Sequence, residues 1–223
     1  MFRYYSDRLA GERLKLCYDL APRAVQRYLE AEIEHVQAAV RPGDRVLELG
    51  CGYGRVLAKL GPSPALLAGI DVSLASLRMA DKYLRGTPGV ALAAMDAVAL
   101  ALAPASFDLV CCVQNGISAF HADQGALLCS AVAVTRPGGR VMFFSYAEEF
   151  WEQRLAWFRI QAAHGLVGEI DEAATRDGTI VCRDGFTATT VSPSHFAELS
   201  AGLGRSVSIR TLAGASVLCE ITA

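Results

Sequence analysis

The chain has 223 residues, 52% apolar and 20% charged, and its 21 basic and 23 acidic side chains leave a net charge of −2. That length and apolar share support one domain with a large core, with or without a cap over it. The mixed charge gives no footprint for nucleic acid or an anionic membrane, no apolar run reaches membrane-span length, and residues 1–8 lack the apolar core of a signal peptide, so a cytoplasmic protein with a small partner is expected.

Residues 4–18 place Tyr4, Tyr5, Leu9, Leu14, Leu16 and Tyr18 among charges, a broken amphipathic pattern. Pro22 suits a first helical turn, and Val25, Tyr28, Leu29, Ile33, Val36 and Val40 recur at helical spacing, which predicts a helix over 22–40. After the turn Pro42-Gly43-Asp44, strand one is 45–49, and a helix follows its glycine turn to about Leu60. Pro62 to Pro64 break the chain. The run from Leu66 to Val72 predicts strand two, and Ser73 can cap a helix carrying Leu74, Leu77, Met79 and Leu84. Strand three covers 90–95 and ends at Asp96. Strand four, 107–113, is apolar apart from Asp108 and so is expected to be buried on both faces.

A helix is expected over 122–135, and Arg136-Pro137-Gly138-Gly139 turns into strand five, 140–145. An aromatic-rich helix over 148–164 comes next. Strand-like runs at 166–173, 179–183 and 186–191 follow, with Asp177-Gly178 and Asp184-Gly185 as turns. Ser192-Pro193 opens a helix to Leu203, and 206–212 and 215–222 read as two closing strands. Alternating strands and helices predict a doubly wound α/β fold with a mostly parallel sheet. Arg176, Asp177, Arg183 and Asp184 read as a solvated hairpin edge. The seven cysteines lack metal-site spacing. Cys51, Cys111, Cys112, Cys182 and Cys219 read as reduced core thiols, and no metal is expected.

Val46-Leu-Glu-Leu-Gly-Cys-Gly-Tyr-Gly54 combines a buried strand, glycines at every second position and the start of a helix. Glycine there permits positive φ and lets a ligand approach the backbone without a Cβ in the way. Asp71, ending strand two, can accept hydrogen bonds from both hydroxyls of a ribose. Its other reading is a helix cap, although Ser73 already offers one. The glycine spacing, with Glu48 before it, resembles the first motif of class I S-adenosylmethionine-dependent methyltransferases rather than a G-x-G-x-x-G dinucleotide fingerprint. Phe107-Asp-Leu-Val and Arg136-Pro-Gly-Gly resemble two further motifs of that family, so the resemblance covers about 44–146.

The resemblance implies a seven-stranded sheet in the order 3-2-1-4-5-7-6 with the last strand antiparallel. It divides the chain into an N-terminal helical lid over 1–43, a cofactor-binding core over 44–146, a substrate-side helix and β insertion over 147–191, and a closing helix and strand pair over 192–223. It implies S-adenosylmethionine as cofactor, contacted by Glu48, Gly50, Cys51, Gly52, Gly54, Asp71, Val72, Asp96, Ala97, Gln114 and Asn115, with Asp96 reading the adenine amine. Asn115, Tyr146 and His121 are the candidates beside the reacting methyl, and His121 also reads as a structural histidine. The stretch Gln114-Asn-Gly-Ile-Ser118 resembles small-molecule N-methyltransferases, so a small acceptor, methylated at nitrogen, is expected.

Candidate pocket residues are Tyr4, Tyr5, Arg8, Arg13, Tyr18, Asn115, Phe120, His121, Tyr146, Phe150, Trp151 and Trp157; plain core packing is the other reading of each aromatic. A protein or RNA methyltransferase, a non-catalytic cofactor-binding subunit and an NAD-dependent oxidoreductase are the competing functions. The oligomeric state is not legible in the sequence. Residues 1–20 are expected to fold over the cofactor as a lid, or else to form a permanently packed helix.

Overall fold

A computed structural model describes residues 4–61 and 63–223. Residues 1–3 of the expected lid and Pro62 of the expected chain break lie outside the described residues. The helices are α1 (Tyr4–Asp7), α2 (Glu12–Asp19), α3 (Arg23–Ala39), α4 (Leu74–Tyr83), α5 (Gly116–Ala119), α6 (Gln124–Val134), α7 (Trp151–Ala163) and α8 (Pro193–Ser200). The strands are β1 (Arg45–Leu49), β2 (Leu66–Asp71), β3 (Val90–Ala94), β4 (Phe107–Cys112), β5 (Thr135–Tyr146), β6 (Ile180–Val181), β7 (Thr187–Ala188), β8 (Ser206–Leu212) and β9 (Ser216–Thr222).

Seven strands form one sheet in the order β3-β2-β1-β4-β5-β9-β8, while β6 and β7 pair separately. Among the sheet strands alone this is the expected 3-2-1-4-5-7-6. Pairing is parallel from β3 to β5, with Val46 opposite both Leu67 and Leu109, and antiparallel from β5 through β9 to β8, with Phe143 opposite Cys219. Alternate side chains of each strand feed opposite faces of the sheet. Leu47, Val110, Phe143 and Val217 pack with Leu127, Leu128 and Ala131 of α6 and Phe196 of α8. Val46, Leu67, Leu109, Met142 and Leu218 pack with Ile33 and Val36 of α3 and Leu77 of α4.

A third apolar cluster lies apart from these two. It gathers Tyr4, Leu9 and Cys17, the first half of α3 through Val25 and Tyr28, Tyr146, Trp157 and Phe158, and Ile180 and Phe186 of the small hairpin. Thus α3 has two duties, and its second half belongs to the sheet rather than to a lid. Among the described residues no helix is long and apolar enough to cross a membrane.

Four elements differ from the sequence reading. The helix expected up to Leu60 is a single 3-10 turn, Leu57–Lys59, because positive-φ glycines at 54 and 61 leave room for only one turn, too little to repay helix nucleation. β5 begins at Thr135 because its ladder to β4 resumes across a register shift, Phe107 facing Thr135 and Leu109 facing Arg140. The insertion is mostly irregular: β6 and β7 are two residues each and pair with one another, and an isolated bridge joins Ile170 to Cys182. The short helix α5, unforeseen in the sequence, follows two left-handed residues, Gln114 and Asn115.

Candidate active site

β1 delivers its chain into the glycine turn, where Gly50, Gly52 and Gly54 have φ of 73°, 52° and 86°. A Cβ on Gly50 would lie 2.5 Å from the Phe120 ring, and one on Gly52 would lie 3.0 Å from Leu14. Gly54 instead faces Leu84 and Ala80 of the α4 region, where a Cβ would come within 2.7 Å of Leu84. The turn is tied to the end of β2: Gly52 N donates to Asp71 Oδ2 at 2.9 Å, and Ser73 N donates to Asp71 Oδ1 at 2.8 Å. A carboxylate has about four lone-pair sites, so room remains for a further donor. The capping of α4 falls to Ser73, whose Oγ accepts from Ser76 N at 3.2 Å. Burial raises the Asp71 pKa, against the pull of the backbone N–H groups.

Glu48 is 2% exposed, and its Oε2 has no hydrogen-bond partner. Burial pushes its carboxyl up to about 8; Arg55 opposes the shift and Asp71 adds to it. The Arg55 guanidinium leaves Nε and Nη2 unpartnered and lies 4.5 Å from the centre of the Tyr18 ring.

These groups line a cavity of about 440 Å³, within the range of small-molecule sites. Its floor comes from the carboxyl ends of the central strands, where Glu48, Gly50, Cys51, Gly52, Asp71 and Gln114 meet. Val72, Met95, Ala97 and Val98 form an apolar slot with Asp96 at its edge, whose Oδ1 accepts from Val98 N at 3.1 Å.

The remaining wall is aromatic: Tyr4, Tyr5 and Tyr18 from the N-terminal helices, Tyr146 from the end of β5, and Trp157 and Phe158 from α7. The N-terminal segment is pinned at several points. Tyr4 Oη and Arg8 Nη1 both donate to Asp184 Oδ2 at 3.0 Å, Gly11 N donates to Ser76 Oγ at 3.1 Å, and Trp157 Nε1 donates to Cys17 O at 3.0 Å. Asp184, expected on a solvated edge and exposed there, is also the far anchor of this roof. Arg176, Asp177 and Arg183 do stay at the surface.

The structure brings most of the candidate residues to this cavity but not all. Tyr146 is in its wall, and Phe120 and His121 lie along it, the latter exposed at φ 49°. Asn115 is instead a buried hydrogen-bonding node: its Nδ2 donates to Thr189 O at 2.8 Å, and its Oδ1 accepts from Ser145 Oγ at 2.8 Å. Neither it nor Gly54 is among the lining residues. Arg13 points away to Gly165 O, while Phe150 and Trp151 pack behind Tyr146 and Arg154.

Two buried charges escape sequence reading. Glu32 on α3 accepts from Gln114 N at 2.7 Å and from Ser216 Oγ, which fixes the left-handed loop; burial pushes its carboxyl up to about 7. Arg154 on α7 donates to Gly178 O and Ala188 O at 2.7 Å each. Each charge lies on a helix with ample polar surface, where a charged residue defaults to solvent. Phe158 and Gln161 of the wall were likewise unmarked by any motif, and Tyr53, although inside the glycine motif, was not singled out.

A family profile described as a methyltransferase domain matches residues 46–139. The chain is 33% identical over 104 residues to a ubiquinone biosynthesis O-methyltransferase of Paracidovorax citrulli, covering 45% of this chain and 43% of that protein. It is 33% identical over 139 residues to a malonyl-[acyl-carrier protein] O-methyltransferase of Methylococcus capsulatus, covering 60% of this chain and 48% of that protein. The chain thus matches less than half the length of these curated relatives. The PH0226 protein of Pyrococcus horikoshii OT3 superposes with a TM-score of 0.67 at 17% identity, over 100% of this chain and 99% of that one.

Proposed function

We propose that this chain, whose residues 46–139 match a methyltransferase-domain profile, is a class I, S-adenosylmethionine-dependent methyltransferase that acts on a small-molecule acceptor. The observation that carries the proposal is Glu48, a buried carboxyl with an unpartnered oxygen that shares one cavity with Asp71 and Asp96. The residues fit the cofactor. Glu48 meets the ammonium at its methionine end, and the bare backbone of Gly50 and Gly52 lets it approach. The free lone pairs of Asp71 take the ribose hydroxyls. Val72, Met95, Ala97 and Val98 hold the adenine, with Asp96 at its amine. S-adenosylmethionine supplies a methyl group on a sulfonium, open to in-line displacement.

What the protein contributes is alignment and exclusion of water. Orientation alone is worth about 7–11 kcal/mol in favourable intramolecular cases. Residues 4–20 act as the roof, drawn over the cavity by Asp184, Ser76 and the Trp157 indole, and open to exchange cofactor and product. The neutral charge balance and the enclosed aromatic wall favour a small acceptor over protein or RNA. The intact set of Glu48, Asp71 and Asp96 favours catalysis over a cofactor-binding subunit. Cytoplasmic residence remains part of this proposal.

The test is transfer of label from S-adenosylmethionine to a panel of small acceptors, with cofactor affinity measured by calorimetry. S-adenosylhomocysteine is expected to bind and NAD is not. Asp71→Ala is expected to weaken S-adenosylhomocysteine by about 1.5–3 kcal/mol, the range for hydrogen bonds to a charged group. NAD binding without a response to either sulfur nucleoside, or unchanged affinity in a folded Asp71→Ala protein, overturns the reading.

A further inference from the structure

Tyr5, Tyr18 and Tyr146 come from three separate elements and line the aromatic side of one cavity. None of their hydroxyls has a hydrogen-bond partner among the described residues, although Tyr146 is only 6% exposed. These hydroxyls are not sealed in the core with the unpartnered buried atoms; they open on the cavity, where a ligand can take their bonds. The three lie close enough to disfavour one another's ionisation, and burial raises all of their pKa values, so each is held as a neutral donor.

Behind this group stand two guanidinium groups. Arg154 lies 4.8 Å from the centre of the Tyr146 ring, and Arg55 lies 4.5 Å from that of Tyr18. Arg154 is 1% exposed, makes no ion pair among the described residues, and spends its bonds on the carbonyls of Gly178, Ala188 and Thr189. Its charge is therefore not neutralised by a carboxylate. The acids nearby are engaged or turned elsewhere: Glu32 holds Gln114 N and Ser216, Asp184 holds Tyr4 and Arg8, and Glu48 lies beside Arg55 on the cofactor side. Three hydroxyl donors in a positive field suit an oxyanion and repel an ammonium. Flat aromatic walls from Tyr146, Trp157 and Phe158 suit a planar body, and among the described residues no guanidinium lines the cavity to offer the fork that a carboxylate prefers.

We infer that the acceptor side is a phenolate site: it binds a planar ring hydroxyl as its oxyanion between Tyr5, Tyr18 and Tyr146, so that methyl transfer occurs at oxygen. This rests on the methyl-transfer reading above and specifies its acceptor. The proton leaves to solvent when the acceptor binds. In the transfer step the bond from sulfur to methyl breaks as the bond from oxygen to methyl forms, the negative oxygen and positive sulfur both becoming neutral. No general base is needed at that step.

The test uses 4-nitrophenol, whose absorbance reports its ionisation, titrated with protein saturated with S-adenosylhomocysteine. Binding the phenolate about tenfold more tightly than the phenol lowers the apparent ionisation of the bound probe by about one pH unit. At least that shift is expected, with weaker binding of 4-nitroaniline and 4-nitrobenzoate. Tyr146→Phe and Tyr5→Phe are each expected to lose about threefold or more of the phenolate preference while S-adenosylhomocysteine affinity stays within about twofold, because each removes one hydrogen bond to the charged oxygen and none to the cofactor. An absent, unshifted or upward-shifted titration, equal binding of either comparison probe, or an unchanged shift in both variants overturns this inference alone. Failure of S-adenosylhomocysteine to bind overturns the methyl-transfer reading as well.

Discussion

Glu48 and Glu32 are carboxyls that the fold buries at a cost, and pH exposes that cost. Burial raises both, to about 8 and about 7. The native state therefore holds protons that the unfolded chain has released above about pH 4.3, the usual glutamate value. Stability of the unliganded protein is expected to fall as pH rises from that value towards 8, since the unfolded state binds fewer protons across that window. Cofactor binding has the opposite sign. Glu48 must ionise to meet an ammonium, so S-adenosylhomocysteine should bind more tightly as pH climbs from 6 to 8, with proton release visible by calorimetry in buffers of different ionisation heat. Glu48→Gln should flatten that rise; a wild-type affinity independent of pH would show that Glu48 is not the ammonium's partner. At this scale the sequence singled out Glu48, Asp71 and Asp96, because strand ends and a glycine turn mark them. It did not separate Asn115 from its neighbour Gln114. Both follow β4 at positive φ, and only the carbonyl of Thr189 and the hydroxyl of Ser145 draw Asn115 into the interior.

The N-terminal helices and the insertion after α7 meet as elements over the cavity, joined by a few polar ties rather than by the sheet. Such attachments open at low free energy. Hydrogen exchange in residues 4–20 is expected to slow on adding S-adenosylhomocysteine, while the second half of α3, packed on the sheet, barely changes. Asp184→Ala removes the shared partner of Tyr4 and Arg8, a partly exposed contact worth about 1 kcal/mol at most, and should speed exchange in α1 several-fold. Equal exchange with and without ligand would mean that the roof is a fixed wall. The broken pattern of residues 4–18 hinted at an element packed irregularly. Where it is tied was not legible, because Asp184 and Ser76 are far away in the chain.

Across the whole molecule, ligand and fold should melt as one. A hundredfold excess of S-adenosylhomocysteine over its Kd adds about 2.7 kcal/mol. At about 2–4 °C per kcal/mol for a chain of this size, the midpoint should rise by roughly 5–11 °C in a single transition. A separate early transition for the roof, or an equal rise with NAD, would contradict this. The sequence by itself determined the sheet and its cofactor-side rim. Strand periodicity, glycine turns and strand-end acids are local patterns, and the order of connections follows from chirality and the family motifs. The sequence nominated Tyr5, Tyr18 and Tyr146 as pocket candidates, but only the tertiary structure brought them into one wall with Arg154 and Arg55 behind it. Tyr5, Tyr18 and Tyr146 lie far apart in sequence, and Arg154 reads as an ordinary surface charge on α7. Their meeting depends on how α2, β5 and the irregular insertion pack together, and long-range packing leaves no local pattern in the chain.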